Sequence, residues 1–203
     1  MILKRGAEAE IRTAEFLGRS AVAKVRLPKA YRLPALDDDL RKTRIRTEAR
    51  LMAEARAAGV AVPVLYDIDL QGHTITMEFV EGPTLKDALE AGGPQAAVLA
   101  REMGHVAGRL HRAGIIHGDL TTSNMVVRDG GIVMLDFSLG GKARDPESRG
   151  VDLHLLREAL TSTHARARAY YREVLAGYRE VLGAEADAVL AKVKEIESRG
   201  RYT

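Results

Sequence analysis

The sequence predicts an α+β protein of two lobes, in which a small strand-rich N-terminal lobe with one long helix precedes a helical C-terminal lobe. Short apolar runs separated by turns fill the first part of the chain, whereas apolar residues recur at helical spacing through most of the second part. The tripeptide Glu81-Gly82-Pro83 interrupts the pattern between the two parts. We therefore expect one lobe over residues 1–82 and the other over residues 83–203.

The N-terminal lobe is predicted to hold one long helix among several strands. Acidic residues at 37–39 suit the positive end of a helix dipole and Gly59 is a typical stop signal, so the helix is expected from Asp37 to about Ala58. Pro28 and Pro34 bracket the loop before it. The strands are expected at residues 11–16, 20–27, 62–70 and 73–79.

Helices dominate the predicted C-terminal lobe. One strand-like segment, residues 131–135, interrupts them and leads directly to Asp136. The helices are expected at residues 96–113, 151–160, 166–182 and 185–199.

Composition is typical of a soluble globular protein and excludes some kinds of chemistry. The 203 residues are 46% hydrophobic, and no apolar run approaches the roughly 20 residues that span a bilayer. Since the chain has no cysteine, disulfide bonds and thiolate catalysis are excluded. We expect a cytoplasmic protein without a membrane partner, because no signal-peptide pattern opens the chain. The net charge of +3 permits contact with nucleic acid without requiring it.

The segment from His117 to Asn124 carries the strongest chemical signal. Asp119 and Asn124 stand in the spacing H-x-D-x-x-x-x-N, and Asp136 follows the next strand. Transfer of a γ-phosphoryl group requires a carboxylate near the attacking oxygen and hard oxygen ligands for Mg²⁺. Asp119 is therefore predicted as the catalytic carboxylate, and Asn124 and Asp136 as the metal ligands. The alternative is that these side chains only form turns and cap a strand.

Lys24 and Glu48 are predicted to form the ion pair that positions ATP phosphates. Lys24 ends the segment Ala21-Val22-Ala23-Lys24, which resembles the V-A-x-K strand that directs a lysine at nucleotide phosphates. Glu48 lies on the predicted helix face that also carries Leu40, Ile45, Leu51, Met52 and Ala55. A carboxylate that faces a core is costly unless it is paired, and Lys24 is the natural partner. A rotated helix with a half-exposed Glu48 is the alternative.

Two further segments are candidates for nucleotide contacts. Residues 77–82 occupy the position of a hinge between the lobes, where backbone groups near Glu78 and Val80 would bind adenine; a simple edge strand would have the same sequence. The segment from Lys4 to Ile11 replaces a phosphate-covering loop of the G-x-G-x-x-G type. It contains one glycine, Gly6, which permits one tight turn and is our candidate phosphate contact.

Several residues differ from those of a typical protein kinase. Gly118 stands where such kinases have an arginine that pairs with a phosphorylated activation loop, Thr121 replaces a common lysine, and Ser138 replaces the glycine of D-F-G. Only residues 139–149 separate Ser138 from the Gly150-Val151-Asp152-Leu153 segment. This leaves no room for a peptide-docking loop, which favours ATP hydrolysis, autophosphorylation or action on one docked partner.

Taken together, these motifs resemble those of the small, RIO-like atypical kinase subunit of the KEOPS (EKC) complex. The similarity runs through almost the whole chain. The matching segments are residues 6–9, 29–32 with Pro34, 46–50, 116–124, 150–153 and 198–202.

The resemblance implies a compact two-lobed kinase fold with ATP and Mg²⁺ in the cleft. It also implies binding to the threonylcarbamoyl-transferase subunit and to other subunits of the complex, with tRNA reached through the complex. The implied role is support of threonylcarbamoyl modification of adenosine beside the anticodon, largely as an ATPase, with protein-kinase activity detectable in isolation.

Two basic features fit this resemblance. Lys42, Arg46 and Arg50 recur at every fourth helical position and are candidate contacts for tRNA phosphates, with a solvated helix face as the alternative. The tail Arg199-Gly200-Arg201 is predicted either to reach the cleft or a partner, or to fray.

Other functions compete with this one. Small-molecule phosphotransferases of the aminoglycoside or choline kinase type share the H-G-D and D-F motifs, but they need a helical insertion that this C-terminal lobe lacks. A nucleotide-sensing scaffold without turnover would explain the altered phosphate loop. A third possibility is autonomous Ser/Thr kinase activity on free proteins. It differs only in degree from the activity that the resemblance implies.

Overall fold

A five-stranded antiparallel sheet forms the N-terminal lobe. The computed structural model describes residues 1–199, so most of the predicted tail contact falls outside the described residues. The strand order is β1-β2-β3-β5-β4, and all neighbouring pairs are antiparallel. The strands are β1 (Ile2–Arg5), β2 (Ala9–Phe16), β3 (Arg19–Arg26), β4 (Leu65–Asp69) and β5 (Thr74–Glu78).

The tight β2–β3 hairpin fixes the strand on which Lys24 lies. Leu17 and Gly18 form its two-residue turn, with φ values of 50° and 76°. Two central residues with positive φ match the twist of the flanking strands. Strand β1 was not predicted, because all its residues are exposed and it therefore lacks the apolar alternation of a half-buried strand.

The long helix α1 (Pro34–Ala57) packs against this sheet. It begins before the predicted Asp37, since Pro34 occupies its first turn, where the fixed proline φ suits a helix and no N–H is required. Ile45, Leu51, Met52 and Ala55 are buried as predicted, with Glu48 among them. Leu40, by contrast, is only partly buried.

The C-terminal lobe consists of helices around two short strand pairs. Strand β6 (Ile115–Ile116) pairs with β9 (Gly141–Lys142), and β7 (Met125–Arg128) pairs with β8 (Gly131–Met134). The predicted lobe boundary after Gly82 lies between β5 and α2, a short helix that was not predicted. The helices are α2 (Leu85–Ala91), α3 (Pro94–Arg112), α4 (Pro146–Thr163), α5 (Ala167–Leu182) and α6 (Glu185–Arg199). Within residues 1–199, none of the helices has the length and apolar character needed to cross a bilayer.

Glycines allow α3 and α5 to approach each other closely. A Cβ atom added at Gly104 would lie 2.0 Å from the carbonyl oxygen of Val174, and one at Gly177 would lie 2.1 Å from that of Arg101. Such separations are far below van der Waals contact, and a backbone atom cannot rotate away as a side chain can. The two helices therefore require glycine at both positions.

Replacing Gly104 with alanine is expected to destabilise the protein by about 1–3 kcal/mol, the usual cost of overpacking. Urea unfolding measures this loss. Gly141→Ala is the matched control, since a Cβ added at Gly141 meets no atom within 4 Å. Equal stability of the two variants would contradict the close helix contact.

The lobes are joined at several points. The backbone N–H of Met134 donates to the carbonyl of Ala61 at 2.8 Å. The Arg128 guanidinium lies 2.5 Å from the Glu78 carboxylate, and the Lys142 ammonium lies 2.6 Å from that of Glu54. These contacts hold α1 and β5 of the first lobe against β7, β8 and β9 of the second.

A histidine on α3 makes the stability of the α3–α5 pair depend on pH. The His105 ring nitrogens lie 2.7 Å from Glu102 and 2.6 Å from Glu180. Burial alone would lower the pKa of His105, but the hydrogen bonds to the two carboxylates offset this effect and the pKa is raised.

A group with a raised folded-state pKa stabilises the protein fully below its unfolded pKa, near 6.5 for histidine, and this contribution is lost as pH rises through the folded pKa. We therefore expect His105→Gln to reduce the free energy of unfolding most at about pH 5–6. The difference from the unsubstituted protein should shrink as pH rises. Urea unfolding at several pH values measures it, and a difference that grows with pH would contradict the assignment.

Candidate active site

Lys24 connects three elements of the fold. Its ammonium lies 2.5 Å from Oε1 of Glu48 on α1 and 2.6 Å from Oδ1 of Asp136, which follows β8. The side chains of Lys24 and Glu48 are almost completely buried. The predicted Lys24–Glu48 ion pair is therefore present, and the half-exposed alternative for Glu48 is wrong.

Arg26 is a second cation that pairs with Glu48, and this contact was not predicted from the sequence. Its Nη2 lies 2.6 Å from Oε2 of Glu48, and the two side chains are 2% and 1% exposed. Residues 24 and 26 point to the same face of β3, because side chains alternate along a strand. The two-residue spacing between Lys24 and Arg26 could have predicted that both side chains face Glu48. Glu48 thus neutralises part of the charge of two buried cations.

Asp136 is held as an ionised carboxylate. Its backbone has a φ of 55°, which is uncommon for a residue other than glycine. Burial alone would raise its pKa, but the Lys24 ammonium and the hydrogen bonds from Ser138 lower the pKa to about 2. Both the hydroxyl and the backbone N–H of Ser138 donate to Oδ1. Ser138, which replaces the glycine of D-F-G, therefore orients the Asp136 carboxylate.

Asp119 and Asn124 lie together, as their spacing predicted. Nδ2 of Asn124 donates to Oδ2 of Asp119 at 2.8 Å and to its backbone carbonyl at 3.0 Å. A one-turn 3-10 helix, Thr122–Asn124, returns the chain so that these contacts can form. The amide side chain thus fixes the orientation of the carboxylate.

Asp152 on α4 holds the loop that carries Asp119. Its carboxylate accepts the backbone N–H of His117 at 2.6 Å and that of Gly118 at 2.8 Å. Burial alone would raise the pKa of Asp152, but a hydrogen bond from His111 and these two N–H groups lower it. Asp152 lies in one of the segments that carry the family resemblance, but this role was not predicted from the sequence.

The conformation of Gly118 explains its presence before Asp119. Its φ is 77°, and an added Cβ would lie 2.2 Å from the carbonyl oxygen of Leu139. Any side chain here would therefore collide with the segment that follows Ser138.

Within residues 1–199, the hinge offers backbone N–H groups that make no hydrogen bond to the protein, and that of Val80 is among them. The N–H of Glu78 donates to Val64 at 2.8 Å and that of Phe79 donates to Ser20 at 3.4 Å. The N–H of Val80 makes no hydrogen bond to any residue of the described range 1–199. Adenine contact at Val80 remains our prediction, and a Glu78 contact would have to use its carbonyl oxygen.

The turn around Gly6 is tied to the protein itself. The N–H of Gly6 donates to the carbonyl of Ala9 at 2.9 Å. Glu8 accepts a hydrogen bond from Arg44 on α1, and Lys29 donates to the carbonyl of Ala7. The N–H of Gly6 is therefore not free to donate to a phosphate. The phosphate contact of Gly6 remains a prediction.

The oxygen atoms at the site suit Mg²⁺. Among the hydrogen bonds of residues 1–199, none involves Oδ2 of Asp136 or Oδ1 of Asn124. Mg²⁺ prefers such hard oxygens and usually completes its shell with water and phosphate rather than with a protein cage. In the same range, no three His, Cys, Asp or Glu side chains form a metal-binding group. The two predicted ligands therefore fit a nucleotide-bound ion.

The predicted basic face of α1 is largely neutralised. The Lys42 ammonium lies 2.6 Å from Asp38, and the Arg50 guanidinium lies 4.0 Å from Glu54. Arg46 is exposed. Pairing of two of the three cations favours the alternative of a solvated helix face.

Comparison with known proteins identifies the family. The RIO domain profile matches residues 10–158. This chain belongs to the RIO domain family. The RIO domain is an atypical kinase or ATPase domain, so the predicted α+β two-lobed kinase-like fold is confirmed.

Relatives of this RIO domain protein include one of nearly the same length. It is 42% identical to the KEOPS complex subunit Bud32 of Pyrococcus abyssi over 210 aligned residues, which cover 99% of this chain and 96% of that subunit. The two proteins are therefore members of one family, which confirms the resemblance drawn from the motifs.

Longer relatives align with this chain over part of their length. The chain is 45% and 43% identical to proteins of Methanothermobacter thermautotrophicus and Methanobrevibacter smithii, each named as a probable bifunctional tRNA threonylcarbamoyladenosine biosynthesis protein. Each match covers 100% of this chain but only 36% and 37% of those proteins. The chain thus spans about a third of the length of these two relatives.

Proposed function

We propose that this protein is an ATP phosphotransferase that acts mainly as an ATPase and supports threonylcarbamoyladenosine modification of tRNA as a subunit of the KEOPS complex. The observation that carries the proposal is the buried ion pair of Lys24 with Glu48, in direct contact with Asp136. The oriented Asp119–Asn124 pair completes the set of side chains that phosphoryl transfer requires.

Each side chain has a defined role in this proposal. Lys24 binds the ATP phosphates, and Glu48 keeps its ammonium in place. Asp119 orients the attacking oxygen and accepts its proton, while that oxygen bonds to the γ-phosphorus and ADP leaves. The attacking group is water in hydrolysis and a hydroxyl in autophosphorylation. Val80, Glu78 and Gly6 are the proposed backbone contacts to the nucleotide.

Asp136 and Asn124 are the proposed ligands of Mg²⁺. When bound, the ion neutralises charge on the phosphate oxygens and orients the leaving group. Because the Asp136 pKa is about 2, its carboxylate is ionised and ready to bind a cation at neutral pH. Asn124 has a second task, since its amide nitrogen orients Asp119.

The proposed partners are the threonylcarbamoyl-transferase subunit and other KEOPS subunits, with tRNA bound through the complex. Two observations support this assembly: the full-length similarity to the Pyrococcus abyssi subunit, and the longer relatives in which the RIO domain is joined to a further segment. Because the proposed role of the protein is in tRNA modification, we infer a cytoplasmic location.

Activity on free protein substrates is proposed to be slow. Residues 139–145 form only the two-residue strand β9 and short irregular segments, and α4 begins at Pro146. This segment provides no surface on which an extended peptide would dock. The C-terminal helices follow one another with short connections, which also disfavours a small-molecule phosphotransferase.

A nucleotide-sensing scaffold is the second candidate, and the Gly6 turn favours it. The N–H of Gly6 is engaged by Ala9 and Glu8 is bound to Arg44, so this turn offers little grip on a γ-phosphate. Such a protein would bind ATP and report it to a partner without turnover.

Phosphate release from ATP tests the proposal. The purified protein is assayed with Mg²⁺ alone, then with the transferase subunit, then with that subunit and tRNA, and each assay is repeated with Asp119→Ala. Release that rises with the partner and is lost in the variant is the expected result. Tight ATP binding without release under any condition would replace the proposal with the scaffold.

A further inference from the structure

A buried chain of polar groups extends from Asp152 away from the cleft. The Tyr178 hydroxyl on α5 lies 2.7 Å from Nδ1 of His111 on α3. Nε2 of His111 lies 3.3 Å from Oδ2 of Asp152, the oxygen that also accepts the N–H of His117. Tyr178, His111 and Asp152 are each 0% exposed, so no water competes for these contacts.

The hydrogen positions in this chain follow from the chemistry of each group. The ionised Asp152 carboxylate only accepts hydrogen bonds, so Nε2 of His111 must carry the hydrogen that joins them. In the neutral imidazole this leaves a lone pair on Nδ1. Burial raises the pKa of the Tyr178 hydroxyl, which therefore keeps its proton and donates it to that lone pair.

Loss of the Tyr178 hydroxyl would disturb the Asp119 loop, which lies three hydrogen bonds away. A buried Nδ1 acceptor without a donor is costly, and moving the ring proton to Nδ1 would relieve nothing, since a lone pair on Nε2 would then face the Asp152 carboxylate. In the first case the ring is no longer held by a donor at Nδ1 and can shift from its place, and in the second the lone pair repels the carboxylate, so the His111–Asp152 contact weakens in both. Asp152 then holds the N–H groups of His117 and Gly118 less firmly, and these residues directly precede Asp119.

We propose that Tyr178 is a positioning residue for phosphoryl transfer, because its hydroxyl fixes the tautomer of His111 through which Asp152 orients the Asp119 loop. This inference rests on the proposed function for its catalytic consequence. Its structural step, from the Tyr178 hydroxyl to the backbone of residues 117–118, is measurable without any turnover.

Helix α5 provides a matched control. Tyr171 lies on the same helix, and within residues 1–199 its hydroxyl is buried without a hydrogen-bond partner. Tyr178→Phe and Tyr171→Phe therefore each remove one buried hydroxyl and keep the aromatic ring. Only the first breaks the chain to Asp152.

Steady-state kinetics and NMR spectroscopy of these two variants test the inference. For Tyr178→Phe we expect kcat for ATP turnover to fall about tenfold, as for a misplaced catalytic group, with KM changed less than about twofold. Nitrogen-15 chemical shifts of His111 should change, because Nδ1 loses its hydrogen-bond donor, and amide hydrogen exchange at His117 and Gly118 should be faster. Tyr171→Phe should match the unsubstituted protein in all of these measurements.

A double variant shows whether Tyr178 acts through His111. In a His111→Gln background, Tyr178→Phe should have no further effect on kcat. Additive losses would overturn the inference, as would unchanged His111 shifts and amide exchange in Tyr178→Phe. If the unsubstituted protein has no Asp119-dependent turnover, the proposed function fails, while the exchange and shift measurements still decide whether Tyr178 holds the loop.

Discussion

Asp119→Ala is expected to lower Mg²⁺-dependent ATP turnover by about two to four orders of magnitude, the usual contribution of a positioned general base. The variant loses the carboxylate that orients the attacking oxygen. ATP binding should stay nearly intact, because Lys24, Glu48 and Asp136 are unchanged. The loop should also keep its shape, since Asn124 still donates to the backbone carbonyl of residue 119 and Asp152 still holds the preceding N–H groups.

Phosphate release measures the loss of turnover in Asp119→Ala, and nucleotide titration calorimetry measures its ATP affinity. Asp67→Ala is the matched control, because Asp67 is an exposed aspartate on β4, in the sheet and away from the catalytic loop. A turnover rate in Asp119→Ala equal to that of the control would remove Asp119 from the mechanism. A loss of ATP affinity equal to the loss of rate would show that Asp119 supports binding rather than the chemical step.

Glu48→Gln is expected to destabilise the protein by about 3–5 kcal/mol, the usual effect of removing one partner from a buried ion pair. The amide keeps the shape of the carboxylate but not its charge. Lys24 would retain Asp136 as a partner, whereas Arg26 makes its only ion pair within residues 1–199 with Glu48. Turnover should fall with stability, because the Lys24 ammonium loses the group that keeps it in place.

Urea unfolding and phosphate release measure the two consequences of Glu48→Gln. Glu54→Gln serves as the control on the same helix. Glu54 pairs with Lys142 at 2.6 Å, but about 40% of each side chain is exposed, and such surface pairs contribute only about 0–1 kcal/mol. If both variants lost the same stability, the buried cluster would not be the anchor of the site.

The parts of the site that could be predicted are those with a short-range or periodic signal. The catalytic spacing placed Asn124 beside Asp119, and the helical face of α1 placed Glu48 in the core opposite Lys24. The burial of Glu48 and the Asp119–Asn124 contact depend on geometry within one element or one turn. Lys24 was predicted as the partner of Glu48 because a buried carboxylate needs a cation.

The supporting groups were missed because their partners are far apart along the chain. His111, Asp152 and Tyr178 lie on three different helices, and neither spacing nor periodicity connects them. Arg26 had a usable signal in its two-residue spacing from Lys24, but an arginine near a strand end is usually solvated. The exposed strand β1 carried no burial pattern.

The close approach of Gly118 to Leu139 also limits how control of this protein could arise by mutation. Arginine at position 118 would place its Cβ 2.2 Å from a carbonyl oxygen and would require an unfavourable positive φ. A single substitution at position 118 therefore cannot provide an arginine that pairs with a phosphorylated residue next to Asp119. The backbone of residues 138–140 would have to change as well. Regulation through contact with a partner protein requires no such pair of changes. It is therefore the simpler way for this protein to become regulated.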